Sequence, residues 1–309
     1  MTDTAENRAS LIAVVGATAT GKTRRAVAIA RKTGGEVLSA DSRQVYRRMD
    51  IGTGKDIEEY GDVPVHLVDV CEPGEKYNLH RFLRDYNEAL ADVRSRGCMP
   101  VVCGGSGMYV EAALDRLRLP EVPRNDALRQ TLAGRTLPEL TEILSGMKAL
   151  HNTTDVDTVD RALRAIEIQS YYKEHPEEDF GSKTDPEKDA LIIGIDIDRD
   201  TRRRRIDERL KRRFESGMTE EVESLLAEGI DPENLIYYGL EYKWLTLFVT
   251  GRISRTEMEE GLRIAIHQFA KRQMTWFRGM ERRGHTIHWL PWDMEDDDFV
   301  ESVLNLARL

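Results

Sequence analysis

Cysteine is scarce. The 309 residues contain three, Cys71, Cys98 and Cys103, with no C-x-x-C pair among them. That spacing argues against a disulfide framework or a cysteine-built zinc site and fits reduced thiols in a cytoplasmic protein. Long apolar runs are missing too: none approaches the ~20 residues that span a bilayer. Met1–Ser10 is polar and lacks the apolar core of a signal peptide. A soluble chain with no membrane partner is therefore expected, and a monomer. Positive charge is not in excess, since the formal net charge is -10, which excludes a uniformly basic nucleic-acid coat but leaves room for a local basic patch. No internal repeat or low-complexity segment occurs, so a solenoid is excluded. What remains is a globular composition, 40% hydrophobic and 32% charged. The length allows one large domain, or a core with an inserted second one.

What is present is Gly16-Ala17-Thr18-Ala19-Thr20-Gly21-Lys22-Thr23, directly after the apolar run Leu11–Val15. This is G-x-x-x-x-G-K-[ST] in its required setting, with a strand before it and a helix-forming run, Arg24–Lys32, behind it. Gly16 and Gly21 are expected to let the backbone curl so that successive amides point at phosphate oxygens. The helix starting near Thr23 adds the positive end of its dipole. Lys22 brings a charge to the phosphates, and the Thr23 hydroxyl can ligate Mg²⁺. The stretch implies that a di- or triphosphate binds; it leaves open whether a phosphoryl group moves.

Gly34-Gly35 stops the first helix, and Glu36–Ala40 reads as a short buried strand. Asp41 stands at its carboxyl end, where ligands sit in open α/β sheets; it either does chemistry there or caps a following helix. Pro64–Val70 and Met99–Cys103 read as further buried strands, the latter apolar throughout as in a parallel sheet. Tyr77–Gly97 carries Leu79, Phe82, Leu83, Tyr86, Leu90 and Val93 at helical spacing. From Leu117 the pattern changes: Pro120 and Pro123 interrupt it, and short helical segments follow at Asp126–Leu132, Leu137–Leu150 and Val156–Tyr172. A small helical insertion over 117–188 is expected, ending in a charged loop, Glu174–Lys188. Ala190–Ile197 resumes the sheet. Arg199–Arg213 reads as a helix with apolar Ile206, Leu210, Phe214 and Met218. Its arginines form either a solvated face or a phosphate site. Tyr242–Phe248 and Thr256–Arg283 read as helices, His285–Leu290 as an edge strand, and Phe299–Leu309 as a last helix. The fold class is α/β, a parallel sheet covered by helices, with residues 1–116 and 189–309 forming the core domain.

Several stretches together resemble one family, the tRNA dimethylallyltransferases, also called tRNA isopentenyltransferases. They are Gly16–Thr23, Ser39–Tyr46, Met49–Thr53, Gly104–Tyr109, Arg161–Glu167 and Ala270–Arg278, in family order over nearly the whole chain. The resemblance implies a P-loop, kinase-like sheet whose helical insertion contacts the anticodon stem of tRNA. It implies transfer of a prenyl group from dimethylallyl diphosphate to the exocyclic amine of the adenosine immediately 3′ of the anticodon. The Gly16–Thr23 loop then holds the donor's diphosphate, with Mg²⁺ at Thr23, and no phosphoryl group moves. By the same resemblance Asp41 is the general base, Arg209 is a further diphosphate contact, and Asp41, Ser42, Arg43, Gln44, Ser106, Arg129 and Arg161 meet tRNA or the adenine. The target base must leave its stack to reach such a site.

The chain also departs from the family. Val156-Asp157-Thr158 replaces a usual Pro-Gln-Arg, which bears on the tRNA contacts over Asp157–Arg161. His267 stands where Arg is common, Glu241 where Gly is usual, and Val65 where His is usual. Two other function classes fit a phosphate loop: prenyl transfer to free AMP, ADP or ATP, and a small-molecule kinase, since fold alone does not fix function. The helical insertion and the Arg202–Arg213 run favour a polynucleotide acceptor.

Overall fold

Five apolar residues, Leu11–Val15 (β1), are all buried and sit in the middle of a six-stranded sheet. The computed structural model describes residues 8–119, 121–150, 156–176, 187 and 189–309. The other strands are Glu36–Ser39 (β2), Val65–His66 (β3), Pro100–Gly104 (β4), Ala190–Asp196 (β5) and Ile287–Pro291 (β6). Their order is β3-β2-β4-β1-β5-β6, and every pairing is parallel, as the continuous apolar runs predict. Ile12 lies opposite Val101 of β4 on one side and Leu191 of β5 on the other. Each such buried aliphatic side chain is worth about 1.5–3 kcal/mol.

Helices cover the sheet. Lys22–Thr33 (α1) packs Ala26, Val27, Ile29 and Ala30 on it and ends at Gly34, whose φ of 62° is the left-handed stop that the Gly-Gly pair signals. Leu79–Ser95 (α2) starts where Asn78 accepts the Arg81 N–H at 2.9 Å, and it buries the five apolar positions Phe82, Leu83, Tyr86, Leu90 and Val93. Gly107–Leu114 (α3) follows β4. After β5 come Arg199–Glu215 (α7), Met218–Ala227 (α8), Pro232–Tyr237 (α9), Leu240–Val249 (α10), Arg255–Arg282 (α11) and, beyond β6, Asp296–Ala307 (α12). The expected single apolar face running on to Met218 is split. Gly217 takes φ 94°, α7 stops, and Met218 opens α8.

The chain divides into two compact units, Met1–Arg116 with Asp185–Leu309, and Leu117–Thr184. In the second unit Asp126–Thr131 (α4), Leu137–Met147 (α5) and Val159–Glu174 (α6) close on Leu140, Leu144, Ala162 and Ile166. The buried Glu167 carboxylate there accepts from Arg129 Nε at 2.7 Å, Arg164 at 3.2 Å and the Asn125 N–H at 3.1 Å.

The third strand departs from expectation. Only Val65 and His66 of Pro64–Val70 pair with β2, because Leu67 and Asp69 adopt positive φ of 67° and 56° and leave the sheet. The fully buried Lys55 ammonium draws Asp69 away and also binds Asp50 at 2.5 Å and the Tyr46 carbonyl at 2.6 Å. Most of the expected loop Glu174–Lys188, with Pro120 and most of Met1–Ser10, lies outside the described residues.

Candidate active site

The carboxyl ends of β1, β2 and β4 meet at the point where the strand order turns back on itself, the usual place for a ligand in an open α/β sheet. Strand β1 delivers Gly16, Ala17, Thr18, Ala19, Thr20 and Gly21 there as a closed loop, with Thr20 Oγ1 donating to the Ala17 carbonyl at 2.8 Å. The two glycines differ in purpose from the sequence expectation. Gly21 carries a left-handed φ of 85°, and Ala19, not Gly16, carries the other at 63°. Gly16 is needed for close approach, since a Cβ there would stand 3.0 Å from Thr20 Oγ1 and 3.4 Å from Ile195 Cβ. Lys22 and Thr23 begin α1, so the loop amides and the helix N-terminus face the same space.

That space is a cavity of about 610 Å³, within the roughly 300–1,000 Å³ common for small-ligand sites. Thr18 to Thr23 form its floor; Asp41, Arg43 and Gln44 come from the end of β2. Arg205, Arg209, Arg212 and Arg213 come from one face of α7, while Arg203, Arg204 and Lys211 point to solvent. The tertiary fold thus turns part of the arginine run toward the cavity and leaves the rest on a solvated face. Gly16 and Ala17 are buried and do not line the cavity.

Asp41 is followed by a turn, not a helix, so it is no helix cap. Its Oδ1 accepts the Arg43 N–H at 3.0 Å, which leaves Oδ2 without a donor among the described residues. Burial pushes the Lys22 ammonium below its ordinary range, against the attraction of neighbouring Asp41. Arg209 reaches Thr18 Oγ1 at 3.4 Å and pairs with Asp56. Arg213 is pushed down to about 10 by burial, with Arg209 adding repulsion. The Arg43 guanidinium lies 4.6 Å over the Phe269 ring and bonds Glu241 at 2.9 Å. Both ends of the Gln44 amide are engaged, Oε1 by Ser39 at 3.1 Å and Nε2 on the Gly54 carbonyl at 3.0 Å.

Ser42 and Ser106 lie beside the cavity, joined by Ser42 N–H donating to Ser106 Oγ at 3.0 Å. Arg129 and Arg161 belong to the other unit. Arg129 is held by Glu167 and Asp160, and Arg161 pairs with Asp157 at 2.6 Å. Residues with no expected site role also line the cavity: Ile266, Phe269 and Gln273 on α11, Glu241 on α10, and Asp56 and Glu59. Ile266, Phe269 and Gln273 share one face of a helix at i, i+3 and i+7, a signal the Ala270–Arg278 motif half displayed. His267, at a position of departure, bonds Asp207 of α7 at 2.8 Å.

For a metal, the Thr23 hydroxyl opens on the same cavity as Asp41, Asp56 and Glu59, which offer oxygen donors of the type Mg²⁺ takes but are not drawn together as a ligand cluster. A second group, Glu111, Asp115 and His285, has potential ligand atoms within 4.8 Å of one another. Its Glu111 is already claimed by Arg283 at 2.5 and 2.7 Å and by the Trp276 indole N–H at 2.9 Å.

The family model described as IPP transferase matches residues 44–280. The chain belongs to the IPP transferase family. A second model, Isopentenyl transferase, matches residues 9–60, which include the Gly16–Thr23 loop. The chain is 56% identical over 297 residues to tRNA dimethylallyltransferase 2 of Bacteroides fragilis, covering 95% of this chain and 96% of that protein. It is 54% identical over 302 residues to tRNA dimethylallyltransferase 2 of Phocaeicola vulgatus, covering 96% and 97%. Among solved structures it is similar to the full-length tRNA isopentenylpyrophosphate transferase of Bacillus halodurans, with a TM-score of 0.71 and 29% identity over 96% of this chain and 95% of that one. No described helix of this family member is long and apolar enough to cross a membrane.

Proposed function

We propose that the protein transfers a dimethylallyl group from dimethylallyl diphosphate to the N6 amine of the adenosine immediately 3′ of the anticodon in tRNA, releasing diphosphate. The observation that carries this is one cavity in which a carboxylate, Asp41, faces a phosphate loop with Lys22, Thr23 and Arg209 around it. The names of the relatives, which are tRNA-modifying transferases, support the choice of acceptor.

The adenine amine is a poor nucleophile, because its lone pair is delocalised into the ring. In the reaction N6 attacks C1 of the donor, the C1–O bond breaks, and diphosphate leaves with the electron pair. Asp41 takes the N6 proton, a contribution of about 10²–10⁴-fold for a positioned base. Negative charge grows on the leaving group, so preorganised donors there matter most. The loop amides, Lys22 and Arg209 supply them. Thr23 would hold Mg²⁺, which adds positive charge beside the diphosphate. Ile266 and Phe269 are apolar side chains in the cavity lining that would meet the prenyl chain. The reading includes a monomer at work in the cytoplasm, with the cavity's lining supplied within one chain.

The test offers dimethylallyl diphosphate and Mg²⁺ with unmodified tRNA, AMP and ATP in parallel. Prenyl label in tRNA alone is expected. Label in AMP or ATP instead would move the acceptor to a free nucleotide, and phosphoryl transfer without prenyl transfer would return the protein to the kinases.

A further inference from the structure

The Ala270–Arg278 motif has no part in the mechanism above, yet it holds a polar side chain deep in the molecule. Gln273 is 5% exposed. Its Oε1 accepts the Thr18 N–H at 2.9 Å, and its Nε2 donates to the Gly105 carbonyl at 2.9 Å. The partners fix the orientation of the amide, one being only a donor and the other only an acceptor. A Cβ on Gly105 would overlap Gln273 Nε2 and stand 3.4 Å from the Lys22 ammonium, so glycine at 105 is what admits the amide.

The contacts continue. Ser106 Oγ accepts the Ser42 N–H at 3.0 Å and lies 3.1 Å from Ser42 Oγ. Ser42 stands in the turn that Asp41 closes through the Arg43 N–H. One chain of hydrogen bonds and adjoining residues therefore runs from the crest of the phosphate loop through Gln273, Gly105 and Ser106 to Asp41. The three loops it joins leave β1, β4 and β2, whose own pairing ends at Val15–Gly104 and Ser39–Cys103. Beyond those residues the sheet no longer sets the loops' separation.

We propose that Gln273 is a positioning residue that fixes the diphosphate cradle relative to Asp41. It acts through the Thr18 amide and the Gly105 carbonyl and contacts neither reacting atom. One consequence is that the Thr18 N–H is used inside the protein, so the remaining loop amides form the cradle. The inference rests on the prenyl-transfer reading for its turnover arm, while the backbone-exchange arm below stands without it.

The experiment compares Q273M, which keeps length and loses both bonds, with Q273E, which keeps the acceptor for Thr18 and sets a carboxylate against the Gly105 carbonyl. Turnover of dimethylallyl diphosphate with unmodified tRNA, tRNA affinity, thermal midpoint and amide exchange of the 16–23 segment are read for each. A misplacement of about 1 Å costs on the order of 10²-fold. Q273M should therefore lower kcat by roughly that factor, with tRNA Kd unchanged and Thr18 exchange accelerated. Q273E should lower kcat while Thr18 stays protected. Should Q273M fold poorly, Q273E alone decides. Wild-type kcat in either folded variant, or unchanged Thr18 exchange in Q273M, overturns the assignment. A wild-type protein that transfers no prenyl group defeats the proposed function instead, and the exchange result then judges the clasp by itself.

Discussion

Replacing Asp41 by asparagine separates a chemical role from a structural one, because the structure shows what the structural role is. Asp41 Oδ1 accepts the Arg43 N–H at 3.0 Å and closes the turn after β2. An asparagine Oδ1 can accept the same bond, and Asn and Asp serve such local contacts about equally well. The fold, the thermal midpoint and tRNA affinity are therefore expected to stay near wild type. What is lost is a group able to take the N6 proton. A positioned base contributes about 10²–10⁴-fold, which at 1.36 kcal/mol per decade is about 2.7–5.4 kcal/mol of barrier. Single-turnover prenyl transfer with saturating donor and tRNA reads this directly, and kcat of D41N should fall by at least two decades while both substrates still bind. Near-normal turnover by folded D41N would refute the reasoning. The search for a base would then pass over Thr53 and Lys55: Lys55 is fully buried on three acceptors, and the Thr53 hydroxyl is tied to the Met49 carbonyl. It would move to Glu59, which lines the cavity and whose carboxyl is held above its ordinary range by burial.

Lys22→Ala should lower kcat/KM for the donor by about 10²–10³-fold, the usual loss for one preorganised charge donor, with tRNA affinity unchanged in a filter-binding assay. Because burial lowers the pKa of Lys22, its charge is present below that lowered value and is lost as pH rises through it. Donor affinity should accordingly weaken on the alkaline side below pH 10.5, and K22R should not show that loss; titration of dimethylallyl diphosphate binding against pH checks both. tRNA affinity should fall steeply with salt, because phosphate neutralisation releases counterions; a flat plot of log affinity against log salt would remove the α7 arginines from the tRNA contact. Glu241 is buried between Arg43 at 2.9 Å and Arg213 at 3.5 Å, so E241A leaves uncompensated cations and should lower stability by about 3–5 kcal/mol in urea unfolding.

The sequence by itself determined the elements whose information is local. The spacing Gly16–Thr23, the apolar runs of β1, β4 and β5, and the helical periodicity of α2, α11 and α7 as far as Phe214 are local signals, and these elements stand where they were expected. Asp41 could be placed at a strand end for the same reason. Only the tertiary structure decided the rest, because packing brings together groups with no fixed spacing. Thr18 and Gln273 bond across 255 residues, and Arg43 and Glu241 across 198. No periodicity encodes either pair. Which arginines of α7 face the Gly16–Thr23 loop depended on how Ile206 and Leu210 seat that helix. The third strand shrank to two residues because a buried ammonium, Lys55, outweighed an apolar run by demanding carboxylates around it. The insertion of β4 between β2 and β1 set Ser106 beside Ser42 and so joined the loops of the site. That order follows from which apolar faces bury each other best, a property of the whole sheet rather than of any one stretch.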